Sequence, residues 1–202
     1  MGVPITRRAA LLAGLGALAA PPALAHEAAN DAALPAPDPA DPSAPVEVPV
    51  VFNLPGGEVH VDPNRFALYW TLGGGLALRY RCGIGRPGLY EAGAFFVGAK
   101  KEWPSWTPTP GMIEREPELY EQYAEGLPGG PDNPLGARAL YLFTPERGDT
   151  FLRIHGTNAP ATIGTAVSNG CARLTNAWIV DLYNRVPEGA RVVLYPQSAG
   201  FA

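Results

Sequence analysis

Glycine and proline set the first limit on what this chain can fold into. Its 202 residues include 24 Gly and 23 Pro with no collagen-like period. Proline interrupts helices, and both residues favour turns. The pattern therefore predicts a mainly β fold with many turns rather than a helical bundle. Hydrophobic residues at 47% and charged residues at 17% supply a substantial core and exclude wholesale disorder. The length suits one ordinary domain. A net charge of −4 and a pI near 5.4 argue against a nucleic-acid polyanion as the main ligand. Two cysteines, Cys82 and Cys171, are too few for a disulfide scaffold or a Cys-based zinc finger.

The first 25 residues read as an export signal. Arg7 and Arg8 form a positive start, Ala9 to Ala20 is an uncharged apolar run, and Ala23-Leu24-Ala25 has the small-x-small form of a cleavage site. A run of this length is short for a bilayer, which needs about 20 apolar residues, so cleavage after Ala25 is expected rather than anchoring. The arginine pair resembles a twin-arginine signal, with Ala10 where Phe is usual and no Lys following; ordinary Sec export is the alternative. Either route crosses a bacterial inner membrane, and removal of the segment leaves a charge of −6. Residues 26–45 carry Glu27, Asp31, Asp38 and Asp41, five prolines and no Lys or Arg. They are expected to form an extended tether. The domain proper is expected over 46–202.

Strands are expected at Val46–Phe52, Phe66–Trp70, Leu76–Cys82, Phe95–Ala99, Leu140–Phe143, Phe151–His155 and Arg191–Tyr195. Gly73-Gly74-Gly75 reads as the turn of a hairpin. A long Pro-rich stretch runs from Trp103 to Pro134, with one short helix expected at Pro117–Tyr123. One longer helix is signalled by Ile179, Leu182, Tyr183 and Val186, capped by Thr175 or Asn176 and followed by Gly189.

The chemistry concentrates in Ile154-His155-Gly156-Thr157, Thr162-Ile163-Gly164 and Ser168-Asn169-Gly170-Cys171-Ala172-Arg173-Leu174. A cysteine nucleophile needs a base, oxyanion donors and a loop that exposes its sulfur. His155 at a strand end can supply the base, and the small residues before Cys171 can turn their N–H groups onto an oxyanion. Taken singly, each has a plainer reading: a lone Cys is usually a small core hydrophobe, and a lone His a hydrogen-bonded or surface residue. His26 falls in the tether and His60 in a turn, without the three or four ligands zinc requires, so no metal is expected. Cys82 continues the alternation of Leu76, Leu78 and Tyr80 and reads as buried filler. Trp103 and Trp106 either wall a substrate cleft or pack beneath their loop.

Together these residues resemble the active-site signature of the L,D-transpeptidase catalytic domain (YkuD-type): His, a gap of about fifteen residues, then Ser/Thr-x-Gly-Cys-x-Arg. His155 and Cys171 stand 16 apart. Gly83-Ile84-Gly85-Arg86 and Trp103-Pro104-Ser105-Trp106-Thr107-Pro108 also look like family pattern. Asn169 departs from it, standing where many members carry a second His. The resemblance implies a β-sandwich of mixed sheets with one longer and one short helix. It implies Cys171 as nucleophile, His155 as general base oriented by the Gly156 carbonyl, and an oxyanion hole of the N–H groups of Asn169, Gly170 and Cys171. Ser168 would stabilise the loop or touch substrate. Arg173 would hold a substrate carboxylate or, with a slight edge, brace the loop against an acid such as Asp181. The implied enzyme is periplasmic and needs no cofactor. It would acylate on the third-position diamino acid of a peptidoglycan stem, release D-Ala and form 3→3 cross-links. The acyl acceptor is open: a second stem, an outer-membrane protein amine, a D-amino acid, or water. A cell-wall endopeptidase would place Cys before His, and a non-catalytic wall-binding module would not need the intact signature.

Overall fold

A computed structural model describes residues 27, 29–51 and 53–198. The export signal expected over 1–25 and His26 lie outside the described residues. Eleven strands are present among the described residues: β1 Val46–Pro49, β2 Val59–Asp62, β3 Ala67–Gly73, β4 Leu76–Arg81, β5 Ile84–Gly85, β6 Gly93–Glu102, β7 Arg138–Thr144, β8 Gly148–His155, β9 Ala166–Ser168, β10 Ala172–Arg173 and β11 Arg191–Leu194. Among the described residues beyond position 45, the α-helices are α1 Pro110–Arg115, α2 Pro117–Tyr120 and α3 Asn176–Arg185. The fold is mainly β, as the turn-rich composition predicts, with parallel and antiparallel pairings mixed, as the resemblance implies.

Nine strands form one sheet in the order β1-β4-β3-β2-β11-β6-β7-β8-β10, and β5 pairs with β9 in a second. The β3–β4 hairpin turns on Gly73, Gly74 and Gly75, all at positive φ, where a Cβ would be strained. The last strand enters the middle of the sheet, parallel to β2 and antiparallel to β6. Val192 thereby lies between Val59 and Phe95, all three buried. β2 escapes the sequence reading because all of Val59, His60 and Val61 are buried, which hides the usual alternation. His60 belongs to this strand and not to a turn; its ring meets Tyr195 and Glu58, each at 3.0 Å.

Helix α3 lays Trp178, Ile179 and Leu182 into the core, each burial worth about 1.5–3 kcal/mol. Its C-terminal carbonyls at Tyr183 and Val186 accept from Lys100 Nζ at 2.7 Å, where a cation suits the helix dipole. Thr175 occupies the N-cap but makes no side-chain cap bond. Asn176 instead bridges out of the helix: its Oδ1 accepts from the N–H groups of Ala137 at 3.0 Å and Thr157 at 3.1 Å.

The helix expected at Pro117–Tyr123 is present as α2 and a following 3-10 turn at Glu121–Tyr123, and a second short helix, α1, precedes it in the Pro-rich stretch. Pro110 and Pro117 each open one, and Glu116 between them has φ −142°. A residue before proline is driven out of the α region, which splits the segment. Residues 29–45, read from sequence as an extended tether, lie against the domain. Asp31 accepts from Trp103 Nε1 at 2.8 Å and from Arg138 Nη1 and Nη2 at 2.9 and 2.7 Å. Asp41 accepts from Trp178 Nε1 at 2.8 Å.

Candidate active site

β8 and β10 run in parallel and carry the two halves of the sequence signature to one place. Arg173 pairs with His155 and Ala172 with Ile154, so Cys171 enters beside Arg153 just before the ladder begins. His155 and Cys171 line the same cleft of about 620 Å³. Residues of α1 and α2 line it with Trp106, as do Phe151 and Arg153.

The His155 ring is 5% exposed, and its Nδ1 lies 2.7 Å from the Gly156 carbonyl oxygen. A carbonyl can only accept, so Nδ1 carries the proton and a neutral ring presents its lone pair at Nε2. Burial, reinforced by the positive Arg173, pulls the imidazole pKa down to about 3, against the Gly156 and Leu135 carbonyls. Gly156 has no space for a side chain: a Cβ there would lie 2.2 Å from Asn176 Oδ1. The start of α3 thus holds the carbonyl that orients the ring.

Cys171 is half-buried and free. Burial pushes its thiol up, while the Arg153 backbone N–H and the charges of Arg153 and Arg173 pull it down. Both shifts favour the uncharged forms of the imidazole and the thiol. The loop ahead of Cys171 is closed by Ser168, whose hydroxyl donates to the Cys171 carbonyl at 2.6 Å. Gly170 has φ +118°, and Gly85 stands so near that a Cβ there would be 2.7 Å from Gly170 Cα. Two glycines back to back let this loop sit flat on the β5–β9 pair.

One sequence expectation needs correction here, and the two tryptophans, left open between alternatives by the sequence, take different places. Arg173 does not brace against Asp181: that carboxylate is taken by Arg185 at 2.8 and 3.0 Å and by the Tyr80 hydroxyl. The Arg173 side chain is buried, lines the cleft and leaves Nε and Nη2 without a hydrogen-bond partner. Trp103 does not reach the cleft; it is buried and donates to Asp31. Trp106 does line it, edge-on to Tyr120 and Tyr123 at 6.2 and 6.0 Å. Cys82 is fully buried and unpaired. Among the described residues no group of three or more His, Cys, Asp or Glu could hold a metal.

Sequence reading missed four contributors to this region. Arg153 stacks on Tyr141 at 3.9 Å and is held by Asp149. Arg86, Arg115 and Tyr120 converge on the Asn169 side chain. Arg86 stands in a quoted motif, but its partners lie 30 and 83 residues away, beyond any local signal.

Comparison with known proteins fits this geometry. Residues 56–194 match the family model of the L,D-transpeptidase catalytic domain. A putative L,D-transpeptidase from the ATP synthase subunits region of Fuscovulum blasticum is 34% identical over 93% of this chain and 96% of its own length. The probable L,D-transpeptidase ErfK/SrfK of Escherichia coli K12 is 42% identical over 52% of this chain, which spans about a third (32%) of that protein. In fold, the chain resembles an Enterococcus faecium L,D-transpeptidase with a TM-score of 0.50, at 17% identity over 70% of this chain and 50% of that one. The chain belongs to the L,D-transpeptidase catalytic-domain family.

Proposed function

We propose that this protein is a periplasmic, cysteine-dependent L,D-transpeptidase acting on peptidoglycan stem peptides. The observation that supports the reading is the His155 Nδ1–Gly156 carbonyl contact, which leaves Nε2 as the ring nitrogen able to accept a proton, with His155 and Cys171 lining one cleft. Nε2 takes the thiol proton as substrate arrives, and the sulfur attacks the carbonyl of the third-position diamino acid. The oxyanion is received by the N–H groups of Asn169, Gly170 and Cys171. Collapse breaks the amide bond, and His155 returns its proton to the leaving D-Ala amine. An acceptor amine then attacks the thioester and loses a proton to His155. The new amide forms, and the proton passes back to the Cys171 sulfur. A second stem as acceptor gives a 3→3 cross-link; a protein amine gives a protein attached to the wall.

Arg173 supports an anionic substrate group, since its buried guanidinium has no carboxylate partner. No metal or organic cofactor enters this two-step path. The test is incubation of the purified protein with tetrapeptide-stem muropeptides, followed by mass spectrometry. Cross-linked dimer and free D-Ala are expected from the wild type and neither from Cys171→Ala. Tripeptide with D-Ala but no dimer would make water the acceptor and the enzyme a carboxypeptidase. No D-Ala release or exchange from the wild type would overturn the reading in favour of a wall-binding module.

A further inference from the structure

Asn169 sits in the loop that carries Cys171, and its side chain leaves that loop for three partners. Nδ2 donates to the Tyr120 hydroxyl at 2.8 Å, and Oδ1 accepts from Arg86 Nη2 at 3.2 Å and Arg115 Nη2 at 3.3 Å. Arg86 is itself fixed by Glu116, which accepts from Nη1 at 3.0 Å and Nη2 at 2.5 Å. Glu116 is the joint between α1 and α2, Arg115 ends α1, and Tyr120 ends α2 against Trp106. Arg86 follows β5, and its N–H donates to the Ser168 carbonyl at 3.0 Å. One amide therefore gathers both short helices of the cleft wall and the strand behind the loop.

Ser168, Asn169 and Gly170 are small, and glycine has little backbone preference of its own, so this loop needs an anchor. An amide suits the place because it donates to a phenol oxygen and accepts from a guanidinium at once. We propose that Asn169 is a positioning residue that, through Tyr120 and the Arg86–Glu116 pair, fixes the loop aiming Cys171 and ties it to the α1–α2 wall of the cleft. The aiming of Cys171 rests on the function proposed above; the tie between loop and wall does not.

The experiment compares wild type, Asn169→Ala, Tyr120→Phe and the double variant. Two readouts are taken: hydrogen exchange of residues 110–123 and 166–174, and the rate of covalent mass gain on Cys171 with a carbapenem. Asn169→Ala is expected to speed exchange in both segments, and to slow adduct formation, by about three- to tenfold, the scale of one or two hydrogen bonds. Tyr120→Phe should shift both in the same direction by less. The double variant should match Asn169→Ala, since both changes break one contact. Exchange unchanged at 110–123 in Asn169→Ala, or additive effects in the double variant, would overturn the tie. Faster exchange with an unchanged adduct rate would overturn the aiming of Cys171. If Asn169→Ala fails to fold, Tyr120→Phe alone decides, with unchanged exchange counting against the proposal. A wild type that takes no adduct while exchange remains coupled would support the tie and count against the proposed function instead.

Discussion

In the reaction proposed here, a neutral imidazole decides how the Cys171–His155 pair begins its work. With the His155 pKa at about 3 and the thiol raised, proton transfer waits for substrate. The free protein at pH 7 should show no ultraviolet thiolate absorbance from Cys171, and carbapenem acylation should hold level from about pH 5 to 8. A thiolate band at neutral pH would mean an ion pair at rest. The same shift links to stability. The unfolded chain protonates this His near 6.5 and the folded one does not, so the unfolded state binds the extra proton between those values. Stability from this residue is full above about pH 6.5 and is lost as pH falls toward 3. His155→Gln should flatten that acid limb in thermal melts, while the carboxylates keep their own share. The two cysteines should separate cleanly. Cys171→Ala should abolish adduct formation with the melting temperature nearly unchanged. Cys82→Ala should cost about 1 kcal/mol or more of stability and keep the adduct, because Cys82 is fully buried in the core. At this scale the sequence was informative for Cys171 and His155, whose types and spacing are local. It left Arg173 between two roles and did not signal the side-chain contacts of Asn169, because both depend on which distant groups are already engaged.

At the scale of elements, alternation and turn chemistry located most strands and α3, since those signals are carried by neighbours in the chain. The order of strands was not legible: nothing local tells β11 to insert between β2 and β6. The split of α1 from α2 was legible in principle from Glu116-Pro117, a residue pushed out of the helical region by the proline after it. The start of α3 shows an element acting on the site. Asn176 Oδ1 holds the N–H groups of Ala137 and Thr157, and so the turn that presents the Gly156 carbonyl to His155. Asn176→Ala leaves both donors without this acceptor and should cost about 2 kcal/mol. It should also slow acylation of Cys171 several-fold, because the ring loses its fixed tautomer and direction. Asn176→Asp retains an acceptor oxygen and should recover most of the stability in a chemical denaturation series. An Asn176→Ala protein with wild-type acylation would show that the carbonyl needs no such support.

The whole molecule is more closed on itself than its composition announces. Proline and acidic residues over 26–45 have the character of a spacer, yet Asp31 and Asp41 find buried or half-buried donors on the domain. Arg138 has a side chain only 7% exposed and is held by Asp31 at 2.7 Å and Glu102 at 3.1 Å. Removing Asp31 would leave a buried guanidinium with one carboxylate partner, Glu102, the kind of change that costs more than an exposed ion pair ever contributes. Trp103 and Trp178 would each lose the acceptor of their indole N–H in the same truncation. These contacts join the segment to the start of β7, to the Trp103 turn and to α3. A chain beginning at residue 46 should therefore melt about 5–10 °C below one beginning at residue 27, on the usual scale of a few degrees per kcal/mol. Asp31→Asn in the longer chain should reproduce part of that loss, with Arg138 as the group exposed to it. A tether that merely spaces the domain from its surroundings predicts equal melting temperatures for the two chains. Differential scanning calorimetry on the pair separates the two arrangements, and equal transitions would show that residues 29–45 rest on the domain without stabilising it.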